Sequence, residues 1–276
     1  MKLGIFAKTF SGDEPQAVLN AVRDAGYECV QYNWACAGLP SMPDKIDPEH
    51  IANTQAALQA KALSAVALSG TFNMIHPDPQ VRNTGLRRLS VVIDSAAALG
   101  IPMVTLCTGS RNPDDQWQAH PDNDLPAAWQ DMAAIMEQAL DMAQRSGVYL
   151  GVEPELGNTV NSIAKAKRLM EQFDTPGLRI VLDPANLFEI ASDDVRRDII
   201  EDAINQLAPY ISLCHAKDRY ADGRFCAAGD GVIDYPHYLA SLKAIGFDGP
   251  LVTHGLNAED APRVARYLAS VIAAPS

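Results

Sequence analysis

Short runs of apolar residues alternate along the whole chain with longer segments in which apolar residues recur every three or four positions. The short runs are almost continuously apolar, which is typical of parallel strands covered on both faces. They predict eight strands, at Leu3–Ala7, Cys29–Asn33, Ser64–Leu68, Met103–Cys107, Val148–Val152, Leu178–Leu182, Ile211–Cys214 and Leu251–Thr253.

The longer segments have the spacing of amphipathic helices, and several of them have clear ends. Glycine directly follows three of these segments, at Gly26, Gly100 and Gly147, and a left-handed glycine commonly terminates a helix. The predicted helices are Asp13–Ala25, Pro48–Lys61, Val81–Leu99, Leu125–Ser146, Ser162–Gln172, Val195–Ala208, Tyr235–Ile245 and Asp260–Ile272.

Each predicted strand is followed by a predicted helix, and nothing interrupts this alternation. Eight such units predict an α/β fold, a closed parallel (β/α)8 TIM barrel formed as one domain by residues 1–276. The alternative is an open doubly wound sheet, which more typically carries a glycine-rich phosphate turn after its first strand. Here that turn reads AKTFSGDEP and lacks the motif. The working surface of a barrel is the rim formed by the carboxyl ends of its strands.

The overall charge and the cysteines narrow the choice of partner and compartment. The formal net charge is −12, and no basic stripe is present to neutralise phosphates, so no nucleic-acid partner is expected. The five cysteines are scattered without a CxxC pair, which favours a reducing cytoplasmic location over a disulfide framework. The sequence shows no signal peptide and no apolar stretch of membrane-spanning length, so no membrane association is expected. Formation of a homo-oligomer is left open.

Four polar residues close successive apolar runs in the second half of the chain. The runs VYLGV, LRIVL, ISLC and LVT are followed by Glu153, Asp183, His215 and His254. One strand–helix unit separates each of these residues from the next, so we expect them at equivalent places on neighbouring strands. Two carboxylates and two imidazoles placed together would bind a divalent ion such as Mn²⁺, Mg²⁺, Co²⁺ or Zn²⁺. Any one of these residues has an ordinary structural explanation, and it is the common register of Glu153, Asp183 and His215 that favours a metal site. The His254 ring can equally donate to a neighbouring carboxylate instead of binding the ion.

Further polar side chains follow strand ends and fit a small sugar or polyol as the ligand. These are His76, Arg111, Glu155, Lys217 and Asp218. Lys217 can stabilise an enolate or hold a carboxylate or phosphate, and an ion pair with Asp218 or Glu155 is the structural alternative. Arg111 can clamp an anionic group of the substrate, or it can pair with Asp114 or Asp115.

His76 and the three tryptophans are the remaining residues considered for the predicted mouth of the barrel and its surroundings. His76 precedes a proline in a turn and is expected to bind substrate. Trp34 and Trp117 lie in predicted loops and can each offer an apolar face on which a sugar stacks. Trp129 lies within a helical pattern and is expected in the core.

Several motifs resemble those of one family, the xylose isomerase-like barrels. They are GVEPELGNT, DPAN, HAKD, GDGVIDY, GFDGPLVTHGL and the long segment SGTFNMIHPDPQVRNTGLRRLSVVIDSAAALGIPMVTLCTG. The family includes sugar isomerases, ketose 3-epimerases, inosose dehydratases and relatives of endonuclease IV. The resemblance covers nearly the whole chain, and it implies that Glu153, Asp183 and His215 are metal ligands.

The chain departs from these relatives at two positions. In the epimerases a second Glu ends the last strand as the fourth ligand, and the two Glu residues exchange the substrate proton. Here His254 occupies that place, which predicts one-sided proton removal and poor symmetrical 3-epimerisation of free ketoses. Asn186 stands where the relatives commonly have a histidine. It can hydrogen-bond a substrate hydroxyl but cannot act as a base near neutral pH.

Together, the residues and the resemblance predict a metal-dependent isomerase or epimerase that acts on a small sugar, sugar acid or cyclitol through an enediolate. Glu153 or Glu155 is the expected base, and His254 or His215 is the conjugate acid or the fourth ligand. The main alternative is a metal-dependent dehydratase or lyase acting on a keto-sugar or 3-keto-glycoside. Phosphodiester cleavage is not favoured, because a multi-metal cluster needs more ligands and the chain has only 6 His. A sugar-binding barrel without catalysis would hold no ion at its mouth.

Overall fold

Eight parallel strands close into a barrel in the computed structural model, which describes residues 1–274. In chain order the strands within this range are β1 Lys2–Phe6, β2 Cys29–Tyr32, β3 Ser64–Ser69, β4 Met103–Leu106, β5 Tyr149–Val152, β6 Leu178–Leu182, β7 Ile211–Ala216, β8 Asp218–Arg219, β9 Phe225–Cys226 and β10 Pro250–Thr253. The barrel runs from β1 through β2 to β7 and closes through β10 back onto β1. The short strands β8 and β9 form an antiparallel hairpin that follows β7.

Eight α-helices alternate with the barrel strands and pack against them. They are α1 Pro15–Asp24, α2 Pro48–Ala60, α3 Pro79–Leu99, α4 Pro126–Ser146, α5 Ile163–Phe173, α6 Asp193–Leu207, α7 Tyr235–Ala244 and α8 Ala261–Ala273. The first four begin with proline, which lacks an N–H group that would be unpaired at this position anyway. Helices α3 and α4 end at Gly100 and Gly147, whose φ angles of 70° and 68° favour a residue without a β-carbon. None of the helices within residues 1–274 combines the length and apolar character needed to cross a bilayer.

The predicted barrel is confirmed, with element boundaries that differ from the expectation by a few residues at most. The β8–β9 hairpin is the one element of the rim that sequence patterning missed among the described strands. Strands of two residues are too short to show a period, so only the three-dimensional pairing of Asp218 with Cys226 and of Arg219 with Phe225 defines it.

The interior of the barrel is filled by a small apolar cluster, separate from the larger core between strands and helices. Its buried members are Ala67, Met103, Val181, Leu213 and Val252. Gly151 makes room for this cluster, because a β-carbon there would lie 2.6 Å from the Met103 sulfur and 2.9 Å from a Val181 methyl group. The interior of the barrel is therefore filled with side chains beneath the mouth and does not form a pore.

All five cysteines are buried and free, as expected for small core residues. Burial raises the pKa of Cys29 to about 12 and that of Cys36 to about 11. We expect a thiol reagent at pH 8 to label none of them in the folded protein and all five after unfolding. A thiol that reacts rapidly in the native protein would contradict this. Unfolded thiols ionise at about pH 8.5 and the buried ones do not, so the free energy of unfolding should fall as the pH rises above that value.

Candidate active site

The period of two along each strand places the polar residues directly above the interior cluster. Two positions after Val181, Leu213 and Val252 come Asp183, His215 and His254. Side chains two positions apart share a face of the strand, so the sides of β6, β7 and β10 that fill the barrel also carry polar groups to its mouth. Glu153 stands in the same relation to Gly151 on β5.

Glu153, Asp183, His215 and His254 come together as the sequence predicts. One ligand atom from each lies within 4.8 Å of the other three. A Glu153 carboxylate oxygen is 3.0 Å from His215 Nδ1, and Asp183 Oδ2 is 2.9 Å from His254 Nε2. Two carboxylates and two imidazoles that converge in this way offer the donor types that bind Mn²⁺, Co²⁺ or Zn²⁺. The four residues therefore fit a divalent ion.

Asp183 is the most deeply buried member of this cluster, with a fully inaccessible side chain. Burial alone would raise the pKa of Asp183, but the Lys217 ammonium and the His254 ring hold it below its usual value. Lys217 Nζ lies 3.3 Å from Asp183 Oδ2, and the Asp183 carboxylate also accepts the backbone N–H of Ala185 at 2.9 Å. Asp183 is thus held ionised, which is the state of a carboxyl group that can bind a metal ion.

Asn186 connects Lys217 to Glu153. Its carbonyl oxygen accepts from Lys217 Nζ at 2.9 Å, and its amide nitrogen donates to Glu153 Oε1 at 2.8 Å. Asn186 is almost completely buried, so the structure gives it the role of orienting these two side chains. This position does not match the expected contact with a substrate hydroxyl. The ion-pair partner of Lys217 is likewise Asp183, and neither Asp218 nor Glu155.

Glu155 lines the same cavity two residues beyond Glu153 but stands outside the four-residue cluster. Burial, assisted by the nearby Glu153 charge, raises the pKa of Glu155 to about 8. A carboxyl group that titrates near neutrality is well matched to proton transfer. Glu155, like Glu189, is therefore a carboxyl group of the cavity wall that lies outside the cluster, and it is the one that follows Glu153 by two residues.

The cavity above the cluster has a volume of about 740 Å³. This falls in the usual range for small-molecule sites. Trp117 lines one part of its wall, as expected, and its ring is half exposed. Phe225 of the β8–β9 hairpin lines another part, and Lys217 Nζ lies 4.1 Å from the centre of its ring. Half-exposed aromatic rings of this kind can stack on the apolar faces of a sugar.

Several lining residues were missed by sequence reasoning, among them Lys8, Gln31, Phe225 and Arg219. Gln31 had a readable signal, because it is a polar residue inside the apolar run CVQY. Arg219 and Phe225 had none, since they reach the cavity through the unpredicted hairpin.

Arg111 and His76 do not line the cavity in the part of the chain that the structure describes. The Arg111 guanidinium pairs with Asp131 at 2.6 Å and donates to the carbonyl of Ile75 at 2.8 Å. Its partner is therefore Asp131, on α4, and not the adjacent aspartates. His76 accepts the backbone N–H of Asp78 through Nδ1 at 3.0 Å, and its Nε2 lies 3.2 Å from a backbone carbonyl oxygen. Both side chains hold loops in place outside the cavity wall, which does not match the role in substrate binding expected from the sequence.

The expectation that Trp34 offers a stacking face at the mouth is wrong. Trp34 is completely buried, and its indole N–H donates to Ser95 Oγ at 3.0 Å. The loop position is correct, but the short helical turn after β2 directs the ring inward against α3. Trp129 is a buried residue of α4, as expected.

Asp218 organises the loop that carries Arg219 and Phe225. Its buried carboxylate accepts four backbone N–H groups, from Arg219, Gly229, Gly231 and Ile233, at 2.8–3.2 Å. A β-carbon on Gly231 would lie 2.1 Å from the carbonyl oxygen of Arg219. The GDG sequence therefore serves the close approach of the loop to Asp218.

Asp218→Asn should lower the free energy of unfolding by about 1–3 kcal/mol. The new side-chain amide would direct its own N–H groups toward backbone N–H donors. In the wild type these donors all bind the Asp218 carboxylate. Asp222→Asn is the matched control, because Asp222 hydrogen-bonds only to Arg224 at the exposed tip of the same hairpin. Chemical denaturation of both variants measures the difference, and equal stability would contradict the role given to Asp218.

The family model for the xylose isomerase-like TIM barrel matches residues 19–272. The chain belongs to this family. The matched range includes all four cluster residues and seven of the eight barrel strands. The resemblance seen in the sequence motifs is thereby confirmed.

Individual members of the xylose isomerase-like family match the chain at low identity over nearly its full length. A ketose 3-epimerase of Arthrobacter globiformis is 22% identical over 277 residues, which cover 97% of this chain and 88% of that protein. The E. coli 3-keto-D-glucoside 4-epimerase structure superposes with a TM-score of 0.78 at 16% identity and covers 98% of this chain and 99% of its own. A D-psicose 3-epimerase from Clostridium cellulolyticum H10, solved with D-tagatose, gives 0.74 at 15% identity, with 99% of each chain covered. At these identities the two structures show the shared fold.

Proposed function

We propose that this protein is a metal-dependent isomerase or epimerase that acts on a small sugar, sugar acid or cyclitol through an enediolate. The observation that carries the proposal is the convergence of Glu153, Asp183, His215 and His254 at the base of a cavity of sugar-accommodating size. The ketose 3-epimerase relative and the epimerase structures support the same class of reaction. The five unpaired cysteines support a reducing cytoplasmic compartment.

Each residue at the mouth then has a distinct role. A divalent ion held by the four-residue cluster would polarise a substrate carbonyl and make the adjacent C–H bond acidic. Glu155 removes and returns the proton at that carbon, because it lines the cavity and is free of the cluster. Lys217, held against Asp183 and Asn186, stabilises negative charge that develops on the substrate oxygen. Trp117 and Phe225 hold the sugar ring and exclude water from the reacting face.

The test is exchange of solvent deuterium into a panel of ketoses and 3-keto-sugars, followed by mass spectrometry. The protein is assayed after chelation and again after addition of Mn²⁺ or Co²⁺. We expect deuterium to enter beside the carbonyl of at least one sugar, and only with added ion. Loss of water or of an aglycone would indicate the dehydratase or lyase instead. Failure to exchange into any member of the panel, with ion bound, would refute the proposal.

Fructose, tagatose and psicose form an informative part of this panel. His254 stands where the epimerases have a second Glu, so this protein lacks the pair of carboxylates that exchanges a proton on both faces. We expect these free ketoses to be poor substrates for C3 interconversion. Chromatography of the sugars measures this interconversion. Efficient interconversion would show that His254 replaces the second Glu without loss of symmetrical epimerisation.

A further inference from the structure

Gln31 is a buried amide that reaches across the barrel to a member of the four-residue cluster. It lies on β2, and its Oε1 is 2.9 Å from His215 Nε2 on β7. Its Nε2 lies 3.1 Å from Ser69 Oγ and 3.2 Å from Thr105 Oγ1, on the next two strands. All four side chains are buried by at least nine-tenths. Gln31 thus contacts the ring nitrogen of His215 that points away from Glu153, and side chains on β3 and β4 hold the Gln31 amide in place.

The chemistry of the amide limits what His215 can do. An amide nitrogen carries two hydrogens and only donates, whereas an amide oxygen only accepts. With its nitrogen between the two hydroxyls, Gln31 presents its oxygen to His215 Nε2, so that nitrogen must carry the proton. The lone pair of the neutral ring is then on Nδ1, which lies 3.0 Å from Glu153 and 3.9 Å from Asp183.

We propose that Gln31 is a positioning residue that holds His215 in the tautomer with a free Nδ1, and that it thereby sets the affinity of the cluster for its ion. This inference rests on the proposed metal centre. The neighbours of Gln31 determine the direction of the effect. If the Ser69 and Thr105 hydroxyls donated to the amide oxygen of Gln31 instead, the amide would be turned around. Its nitrogen would then donate to His215 Nε2. The proton would then move to Nδ1, and Gln31 would oppose metal binding. The two arrangements predict effects of opposite sign.

Two substitutions separate the hydrogen bond from simple packing. Gln31→Met keeps a side chain of similar length but removes the acceptor, and we expect it to weaken Mn²⁺ or Co²⁺ binding by about 10–100-fold. Gln31→Glu keeps an acceptor for His215 Nε2, and the two hydroxyls can turn to donate to it. This variant should bind the ion within about threefold of the wild type. Unchanged or tighter binding by Gln31→Met would overturn the proposal.

Gln172→Met is the matched control. Gln172 is exposed, and its Oε1 accepts from the Trp129 indole at 2.8 Å, so the substitution removes a side-chain acceptor of the same type away from the cavity. We expect its ion affinity to equal that of the wild type. A chelator first removes any bound metal, and calorimetric titration then measures the ion affinity of the wild type and of the three variants. Thermal unfolding verifies that each variant is folded.

A second measurement needs neither a bound ion nor a substrate. Nitrogen-15 NMR of the metal-free wild type should show a proton on His215 Nε2, whether or not Nδ1 also carries one that it donates to Glu153, with the signals assigned by their loss in His215→Gln. An Nε2 without a proton would overturn the assignment of Gln31. A wild type that binds no ion would refute the proposed function, and the NMR result would still decide how Gln31 orients the ring.

Discussion

Glu155→Gln should lower kcat/KM for the exchanged sugar by about 10²–10⁴-fold while the content of bound ion stays that of the wild type. The magnitude is that of a lost general acid or base. The separation of effects follows from position, because Glu155 lines the cavity but lies outside the cluster. Deuterium exchange gives the rate, and atomic spectrometry of the dialysed protein gives the metal content.

Glu153→Gln is the matched variant two residues earlier. It should lose both activity and ion, since the substitution removes a carboxylate that lies 3.0 Å from His215 and belongs to the cluster. If Glu155→Gln lost its ion as well, Glu155 would be a ligand. If Glu155→Gln kept full activity, proton transfer would have to be assigned to Glu153.

Asp183→Asn should lower the free energy of unfolding of the metal-free protein by about 3–5 kcal/mol. The Asp183 carboxylate is fully buried and lies 3.3 Å from Lys217, whose side chain is only 6% exposed. Removal of the negative charge leaves a buried ammonium without its ionic partner. Chemical denaturation in the presence of chelator measures the loss separately from the loss of bound ion.

A second substitution tests the cause of this loss. In the Asp183→Asn, Lys217→Met double variant the unpaired ammonium is gone, so much of the lost stability should return. A double variant as unstable as Asp183→Asn alone would mean that the ion pair is not the source of the effect. Both variants should bind little ion, since each lacks the Asp183 carboxylate.

This expected loss of stability differs from what the sequence alone predicts for residues at the rim of a barrel. Residues that close barrel strands are expected to matter for activity and little for stability. Asp183 and His215 are instead almost inaccessible, and Lys217, which donates to Asn186, lies against the Asp183 carboxylate. Because these charged side chains are buried against one another, each of them also contributes to the stability of the fold.

The barrel and its four cluster residues could be predicted from the sequence because both depend on local periodicity. Apolar runs of strand length alternate with helical segments, and this pattern has few solutions in a chain of this size. Parallel strands direct their carboxyl ends to one mouth, so Glu153, Asp183 and His215 had to approach one another once the barrel closed. The motif resemblance added the choice of chemistry.

Only the tertiary structure decided which polar residues serve the site and which hold loops. Arg111, His76 and Trp34 follow strand ends as the four cluster residues do, yet they are committed to Asp131, to backbone groups and to Ser95. Gln31 contacts His215 across 184 positions of the chain. Local sequence pattern reports the face of an element that a side chain occupies. The partner on that face is determined by strand order, register and the space left by other side chains, which exist only when the barrel is closed.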